Sequence, residues 1–382
     1  MSRYLILFVT LVAIIGAIVY FEKQKARPGS FGNNNAVTVF PAGKDLGLAA
    51  SPETQKARLA KAEKYPLSPE LVGISGYLNT APLKLADLVG KKVILVDFWT
   101  YSCINCQRTT PYLNAWYEKY REAGLEIVGI HTPEFEFEKK TENVQKAITE
   151  FGIKYPVVQD NEYGTWNAFR NRYWPRKYLV DIDGYVVYDH IGEGGYEETE
   201  QKIQELLAER QARLGAATPV GGGLVRPGDA VTTIESESPE TYFGSARNEL
   251  LANGRSHTAG AQPFAEPRSL IKNALYLSGN WNFDAESAAN QSANSKIYYR
   301  YSAKGVYLVA SSEKGIRAEV LKDGRPLGSE AGADIIRIDG HTYVDIQEDR
   351  LYRLIDDTKA STAELQIIIP EAGLKAFAFT FG

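Results

Sequence analysis

The chain has 382 residues, of which 44% are hydrophobic and 24% charged, and its formal net charge is -4. This composition is typical of globular proteins of two or three domains and excludes general disorder. The acidic balance also excludes the basic surface that nucleic-acid-binding proteins carry. The two cysteines, Cys103 and Cys106, belong to one Cys-x-x-Cys unit. A disulfide-stabilised scaffold is therefore excluded, and the pair is predicted to be kept for its reactivity.

The chain opens with an uninterrupted apolar stretch over residues 4–21, YLILFVTLVAIIGAIVYF. Its length suffices for a membrane-spanning helix, and no small-x-small cleavage site follows directly, so we predict an uncleaved anchor rather than a cleaved signal peptide or a buried helix. Lys23, Lys25 and Arg27 follow the stretch and weakly favour a cytoplasmic body. The thiol chemistry favours an extracytoplasmic body, and we adopt that location in a bacterial cell envelope.

Residues 22–66 are predicted to form a tether, rich in Gly, Asn, Ala and Pro, with a short helix over 51–64. Residues 67–214 then alternate between strand and helix patterns, and the dipeptide Asp183-Gly184 indicates a hairpin near their end. This order predicts an α/β domain of the thioredoxin-like class. The predicted strands are 92–99, 125–130, 155–159, 178–181 and 185–190, and the predicted helices are 109–123, 141–151 and 197–214.

A linker is predicted over 215–235, where three consecutive glycines occur. From 236 to 382 the periodicity becomes two, and turn signals separate the apolar stretches. The pattern predicts an all-β sandwich of jelly-roll type. Its predicted strands are 296–301, 306–310, 317–321, 342–346, 350–355, 364–369 and 375–381.

The Cys-x-x-Cys unit is expected where a buried strand, ending at Trp99, turns into a helix that begins near Cys103. At a helix N-terminus, unpaired backbone N–H groups and the helix dipole favour a thiolate, so Cys103 is predicted to be the nucleophile. Cys106 lies one turn further and can attack the mixed disulfide that Cys103 forms. This spacing predicts thiol–disulfide exchange.

The stretch VDFWTYSCINCQRTTPYL resembles the thioredoxin superfamily, and more closely its DipZ-type proteins. The stretches GIHTPEFEFEK, RYWPRKYLVD and IGEGGYEETE are similar to the same subgroup, and SPETYFG, LSGNW and AFTFG resemble its β-rich C-terminal module. The resemblance extends from about residue 71 to the end of the chain.

The resemblance implies further site residues. Asp97 matches the buried acid that relays a proton to and from the second cysteine, although a solvated acid at a strand end is the alternative. Pro111 matches the proline that kinks the active-site helix. Trp174-Pro175 matches the cis-proline loop that pairs with extended substrate. Trp99 and Tyr101 are expected to border the site, although core packing explains Trp99 equally well.

The expected substrates are proteins with disulfides or dithiols, and the redox-active pair needs no cofactor. DipZ-type proteins carry a multi-helix electron-transfer domain, whereas a single anchor is predicted here, so a reductase is expected to need a separate membrane donor resembling CcdA or DsbD. A role in apocytochrome maturation follows from the family alone. The Ile-Asn dipeptide between the cysteines differs from the Gly-Pro of thioredoxin, so the redox potential cannot be carried over.

The alternatives to this prediction are a zinc site, a peroxidase and a carbohydrate-binding module. A zinc site needs four ligands, and the scattered histidines give no ligand spacing, so no metal is expected. The fragment Thr100-Tyr-Ser-Cys103 also fits peroxiredoxins, which would make the redox domain peroxidase-like. The β-rich domain would bind carbohydrate if its aromatic residues formed an exposed platform, although alternating aromatic residues in strands are more often core. Those residues are Trp281, Tyr298, Tyr299, Tyr301 and Tyr307.

Overall fold

The structure, a computed structural model, describes residues 52–215, 220–228 and 236–382. The predicted anchor over 4–21 and most of the predicted tether lie outside the described residues. Within these three ranges, no helix has the length and apolar character needed to cross a membrane. The described residues form two β-sheets, of which one is flanked by helices.

The first sheet has six strands, which surround the cysteine unit. They are β1 (Gly76–Leu78), β2 (Val93–Trp99), β3 (Leu125–His131), β4 (Val157–Gln159), β5 (Arg176–Val180) and β6 (Val186–Ile191). Their order is β1-β4-β3-β2-β5-β6, and β3 runs parallel to both β2 and β4 while the other neighbours are antiparallel. All seven residues of β2 are buried, as its apolar sequence predicts for a central strand.

Helices cover both faces of this sheet. They are α1 (Pro52–Lys64), α2 (Ile104–Tyr120), α3 (Thr141–Glu150), α4 (Gly164–Ala168) and α5 (Tyr196–Leu214), with 3₁₀ turns at Leu85–Asp87 and Glu136–Lys139. Alternate residues of β2 enter two different cores, because successive side chains on a strand point to opposite faces. Val93 and Leu95 pack with α2, α3 and α5, whereas Val96 and Phe98 pack on the opposite face with α4. The α/β thioredoxin-like architecture predicted from the sequence is confirmed.

Helix α1 is fixed to the hairpin between β5 and β6 by ion pairs. Lys61 Nζ lies 2.6 Å from Asp181, and Arg58 Nε lies 2.7 Å from Asp183. Arg213 of α5 contacts Asp183 from the other side at 2.8 Å. Burial alone would raise the pKa of Asp183, but its bonds to these cations lower it to about 2. The predicted short helix is thus part of the folded domain.

The second sheet has eleven strands, all paired antiparallel. They are β7 (Thr241–Tyr242), β8 (Gly260–Phe264), β9 (Leu275–Phe283), β10 (Ala288–Asn290), β11 (Ser295–Ser311), β12 (Ile316–Lys322), β13 (Arg325–Pro326), β14 (Ile335–Ile338), β15 (His341–Ile346), β16 (Arg350–Ile369) and β17 (Lys375–Phe381). Nine of them follow the order β14-β15-β12-β16-β11-β17-β10-β9-β8. We call residues 236–382 the β-rich domain.

The two longest strands correct the sequence analysis, which divided each of them in two. Strand β11 has 17 residues and β16 has 20, and they pair along most of their lengths. The pairing of β11 with β16 does not end between Ala303 and Gly305, where only its register shifts. A bulge of this kind bends a strand without interrupting it, so residues that read as a turn in the sequence lie within a continuous strand.

The aromatic residues considered for a carbohydrate platform belong mainly to the core of the β-rich domain. Trp281, Tyr299 and Tyr301 are 0% exposed, and Tyr307 is 9% exposed. Tyr299 stacks on Phe381 with ring centres 5.1 Å apart. Because sugars stack on exposed rings, these four side chains do not provide such a surface.

Candidate active site

Cys103 lies at the N-terminus of α2, immediately after the turn that follows β2. It is the N-cap residue, and its Sγ accepts a hydrogen bond from the backbone N–H of Cys106 at 3.4 Å. Its carbonyl accepts from Gln107 N at 3.0 Å, which starts the helix. Cys103 is half-buried, whereas Cys106 is only 2% exposed. The outer sulfur is therefore the one that a partner's disulfide can reach.

Cys106 and Asp97 share the buried region beneath the helix. Burial raises the pKa of the Cys106 thiol well above its usual value, and the adjacent Cys103 and the charge of Asp97 raise it further. Asp97 is 1% exposed, and within the described part of the chain its Oδ1 has no hydrogen-bond partner. Burial raises the pKa of Asp97 to about 7. A carboxyl that titrates near neutral pH can exchange a proton with a neighbouring thiol.

A lysine that the sequence analysis did not single out lies beside this acid. Lys177 is 0% exposed, and it lies directly opposite Asp97 in the antiparallel pairing of β5 with β2. Its Nζ donates a hydrogen bond to the carbonyl of Gly192 at 3.1 Å. Burial lowers the pKa of Lys177, while the negative charges of Asp97 and Cys106 oppose that change. The ammonium group in turn favours the ionised forms of both the acid and the thiol.

Charged groups continue from Lys177 to the edge of the β-rich domain. Glu193 interacts electrostatically with Lys177, and its Oε1 lies 3.3 Å from Nη1 of Arg108 on α2. Nη2 of Arg108 donates to the hydroxyl of Tyr307 in the β-rich domain at 3.2 Å. The side chain of Arg108 is 5% exposed and that of Glu193 is 13% exposed. The second domain therefore contacts the active-site helix one turn beyond the cysteines.

The two aromatic residues expected to border the site are buried. Trp99 is 2% exposed and contacts the ring of His131 edge-on at 5.1 Å, so the structure favours core packing, the alternative that the sequence left open. Tyr101 stacks on the other side of His131 and donates its hydroxyl hydrogen bond to the carbonyl of Asp349 at 3.1 Å. Burial lowers the pKa of His131 to about 3, so its ring is neutral at physiological pH. Tyr101 is thus an interface residue between the domains.

The loop before β5 approaches the cysteines from the side of the sheet. The bond between Trp174 and Pro175 is cis, as the resemblance implied, and Pro175 is buried. Trp174 and Cys103 both pack against the core that contains Cys106, and the indole N–H of Trp174 donates to the carbonyl of Thr132 at 3.0 Å. Tyr173 is 48% exposed beside them. Pro111 lies inside α2, two turns after Cys103.

A cavity of about 390 Å³ lies between the two domains, next to the active-site helix. Its walls combine Tyr101 and Gln107 with residues from α3 and from the β-rich domain, among them Asp349 and Arg353. Arg353 donates to the side-chain oxygen of Gln107 at 3.1 Å. The lining is polar and carries both signs of charge.

Comparisons with known proteins assign both domains. Residues 75–189 match the AhpC/TSA family, and residues 238–382 match the thioredoxin-like C-terminal domain family. The thiol-disulfide oxidoreductase ResA of Bacillus thuringiensis is 32% identical over 34% of this chain and 71% of its own length. The chain belongs to the thioredoxin-like thiol–disulfide oxidoreductases. The thiol-disulfide oxidoreductase YkuV of Bacillus subtilis is 29% identical over 37% of this chain and 95% of its own length.

One relative of this oxidoreductase aligns with both domains together. Protein DipZ of Mycobacterium bovis is 36% identical over 88% of this chain. The alignment covers 47% of DipZ, so the chain spans about half the length of that relative. The combination of a thioredoxin-like domain with this C-terminal domain is therefore shared with DipZ.

Lys177 and Glu138 are buried charges near the cysteines that the sequence analysis did not single out. Lys177 occurs in the quoted stretch RYWPRKYLVD, where its register with Asp97 cannot be seen without the strand pairing. Glu138 occurs in GIHTPEFEFEK, and it is 0% exposed although glutamate is usually a surface residue. Lys177 directly follows Arg176, and Glu138 is one of three glutamates in its stretch, so the local sequence does not distinguish the buried charge from its neighbours.

Proposed function

We propose that the protein is an extracytoplasmic thiol–disulfide oxidoreductase that exchanges disulfides with protein partners through Cys103 and Cys106, chiefly as a reductant. The observation that carries this proposal is the contrast between the two sulfurs. Cys103 is half-buried at a helix N-terminus, whereas Cys106 is buried beside Asp97 and Lys177. This arrangement separates an attacking thiolate from a resolving thiol that needs help to lose its proton.

The exchange proceeds in two steps. The Cys103 thiolate attacks one sulfur of the partner's disulfide, so that bond breaks, a Cys103–partner disulfide forms, and the released partner sulfur takes a proton. Cys106 then gives its proton to the Asp97 carboxylate, and its sulfur attacks Cys103. The partner leaves as a dithiol, reduced by two electrons, and the protein keeps the Cys103–Cys106 disulfide. Lys177 favours the ionised Asp97 and Cys106 throughout.

The proposed direction needs a source of electrons. A protein that reduces partners must have its own disulfide reduced after each cycle. We infer a membrane donor of the CcdA or DsbD kind, because oxidising compartments do not supply thiols freely. The apolar stretch over 4–21 supports an anchor at that membrane, and the thiol chemistry supports an extracytoplasmic location. Maturation of apocytochromes is one process that such a reductant serves.

We further propose the division of the chain into the anchor over 1–21, the tether over 22–66, the thioredoxin-like domain over 67–214, the linker over 215–235 and the β-rich domain over 236–382. Helix α1 belongs to the tether by its place in the chain but is bonded to the thioredoxin-like domain. The β-rich domain is proposed to be a sandwich of jelly-roll type. Its long, bulged strands support this class, because bends let one strand contribute to both layers of a sandwich.

The equilibrium reduction potential of the cysteine couple tests the proposed function. The full chain is equilibrated in dithiothreitol or glutathione buffers, and the Cys106→Ser variant serves as a control that cannot form the disulfide. A potential of about -270 mV, near that of thioredoxin, supports a reductant. A value of about -120 mV would make the protein an oxidant and remove the need for a donor. If no reversible two-electron couple is found, the proposal fails.

A further inference from the structure

The five residues from Glu134 to Glu138, which follow β3 in the chain, lie between the active site and the β-rich domain. We call them the bridging segment. One end of this segment contacts the turn Thr100–Ser102, which connects β2 to Cys103. Its other residues contact the β-rich domain. Tyr101 of this turn also contacts the β-rich domain directly, through its hydrogen bond to Asp349, and the bridging segment adds a second connection, which ends at the residue before Cys103.

The inward contact is made by the carboxylate of Glu138. Its Oε1 accepts from the hydroxyl of Ser102 at 2.6 Å and from the backbone N–H of Ser102 at 3.3 Å. Its Oε2 accepts from the backbone N–H groups of Glu134 at 2.5 Å and Phe135 at 3.0 Å. Four donors thus converge on one carboxylate, which only accepts hydrogen bonds. Because Ser102 directly precedes Cys103, this carboxylate fixes the residue from which the active-site helix starts.

The outward contacts are made by the aromatic rings of the segment. Phe135 and Phe137 pack against Phe377 of the β-rich domain, with ring centres 5.2 and 4.8 Å apart. All three rings are less than 9% exposed. Phe135 also supplies one of the N–H groups bound by Glu138, so the residue that touches the second domain is bonded to the carboxylate that holds the turn.

Polar contacts fix the same segment to the same domain. The side chain of Glu134 accepts from the hydroxyl of Tyr242 at 2.9 Å and pairs with Arg247 at 2.7 Å. The backbone N–H of Glu136 donates to Glu286 at 2.9 Å. The segment is thus held against the β-rich domain by apolar, ionic and backbone contacts.

We propose that Glu138 is a positioning residue for Cys103, and that the β-rich domain controls the reactivity of Cys103 through the bridging segment. The proposal rests on the thiol–disulfide exchange proposed above and assigns the β-rich domain a part in it. A buried carboxylate is costly unless its hydrogen bonds are satisfied. Here its four donors come from the turn before the nucleophile and from the segment that the second domain holds.

The first test measures how fast Cys103 of the reduced full chain attacks a small disulfide, 5,5′-dithiobis(2-nitrobenzoic acid), between pH 5 and 9. Ser102→Ala removes the hydroxyl that donates to Glu138 but leaves the carboxylate and its three backbone donors in place. We expect the rate to fall about tenfold, the order expected for one hydrogen bond to a charged group. A second variant, Glu138→Gln, removes the charge of the carboxylate itself. Its control, Glu118→Gln, removes a carboxylate from an exposed position on α2 and is expected to leave the rate unchanged.

The pH profile distinguishes positioning from general loss of structure. Burial raises the pKa of Glu138 to about 7, and an ionised carboxylate binds the Ser102 hydroxyl more strongly than a protonated one. After division by the measured thiolate fraction, the wild-type rate is expected to rise through about pH 7. Glu138→Gln is expected to give a flat profile. Equal profiles for wild type, Ser102→Ala and Glu138→Gln would overturn the positioning role.

The second test addresses the contribution of the β-rich domain. Phe377→Leu removes the ring that packs on Phe135 and Phe137, and Phe264→Leu makes the same change in the core of the same domain. Both side chains are 7% exposed, so their effects on unfolding should be comparable. We expect Phe377→Leu to slow Cys103 about threefold and Phe264→Leu to leave its rate unchanged. Equal rates for the two variants would overturn the control by the second domain.

These outcomes are separable from failure of the proposed function. If wild-type protein reduces no protein disulfide and shows no reversible couple, the proposed function fails, whatever the variants do. If wild type is active but none of the substitutions changes the rate of Cys103, only this inference fails.

Discussion

The two domains differ in what they bury. Among the described residues, every Asp, Glu, Lys, Arg or His that is less than 9% exposed lies in the thioredoxin-like domain. These residues are Asp97, Arg108, His131, Glu138, Asp160, Lys177, Asp181, Asp183 and Glu200. In the described part of the β-rich domain, the polar side chains that are buried, such as Asn290 and Thr241, carry no charge.

This difference indicates which of the two domains uses buried charged residues in its chemistry. A buried charge costs free energy unless it is paired or hydrogen-bonded, so a domain selected only for packing has no reason to keep one. In the thioredoxin-like domain, Asp97 and Lys177 lie next to Cys106, and Glu138 holds the preceding turn. The interior of the β-rich domain is stabilised by apolar and aromatic packing. Five experiments test this contrast.

The largest effect is expected at the nucleophile. Cys103→Ser should lower the rate of exchange with a protein disulfide by at least about 10³-fold, because a hydroxyl cannot replace a thiolate. Cys106→Ser should instead accumulate a mixed disulfide between Cys103 and the partner, visible by mass spectrometry. Activity retained by the Cys103 variant would show that Cys103 is not the nucleophile.

The core of the β-rich domain should respond in stability but not in chemistry. Trp281 is 0% exposed, and its truncation to Ala should lower the free energy of unfolding by about 3–5 kcal/mol, as measured by chemical denaturation. Ile271, which is 67% exposed, provides the matched control, and its change to Ala should cost less than about 0.5 kcal/mol. A change in the reduction potential of folded Trp281→Ala would contradict the division of roles between the domains.

Asp97 should affect the second step of exchange and not the first. Asp97→Asn should slow release of the partner from its mixed disulfide by about 10²-fold near neutral pH, since the Cys106 proton loses its acceptor. Because burial raises the pKa of Asp97 to about 7, the wild-type rate of this step should rise as pH increases through 7. The variant should lack that rise. Stopped-flow measurement of the two steps separates them, and an equal slowing of both would exclude the relay role.

Lys177 should modulate the same step with a smaller effect. Lys177→Met removes the buried ammonium group while keeping much of its apolar volume. The pKa values of Asp97 and Cys106 should then both rise, because the opposing charge is lost. We expect the release step to slow about tenfold near neutral pH and its pH profile to move to higher pH. An unchanged profile would show that the lysine serves only packing.

The smallest effect is expected at the ion pairs of the β5–β6 hairpin. Asp183→Asn should lower the free energy of unfolding by about 1–2 kcal/mol at pH 7, because Arg58, Lys61 and Arg213 lose a charged partner. Since the folded pKa of Asp183 is lowered to about 2, this contribution is present above the unfolded pKa of about 3.9 and declines as pH falls towards 2.

An exposed pair in the other domain provides the control for that experiment. The carboxylate of Asp345, which is 54% exposed, pairs with Arg317. Asp345→Asn should change the free energy of unfolding by less than about 0.5 kcal/mol at pH 7. Equal effects of the two substitutions would show that burial of the hairpin network adds nothing to its strength.

Sequence patterns predicted the α/β class of the first domain, the location of the reactive pair and most of the elements, but not strand β1 or helix α4. Local patterns suffice for these features, because strand and helix periodicities and the Cys-x-x-Cys spacing are read within a few residues. The same local patterns wrongly divided β11 and β16 into shorter strands. In β11, Lys304-Gly305 resembles a turn. A bulge and a turn have similar local sequences, and only pairing with a neighbouring strand distinguishes them.

The tertiary structure alone decided which groups surround the cysteines. Lys177 is 71 residues beyond Cys106, and it meets Asp97 only because β5 pairs with β2 in one register. Glu138 bonds to the active-site turn, and Phe377 packs on the segment that carries Glu138, although these residues are distant from the turn in the chain. Electrostatic and packing interactions depend on distance in space and on burial, and a sequence of this kind encodes both only through the completed fold.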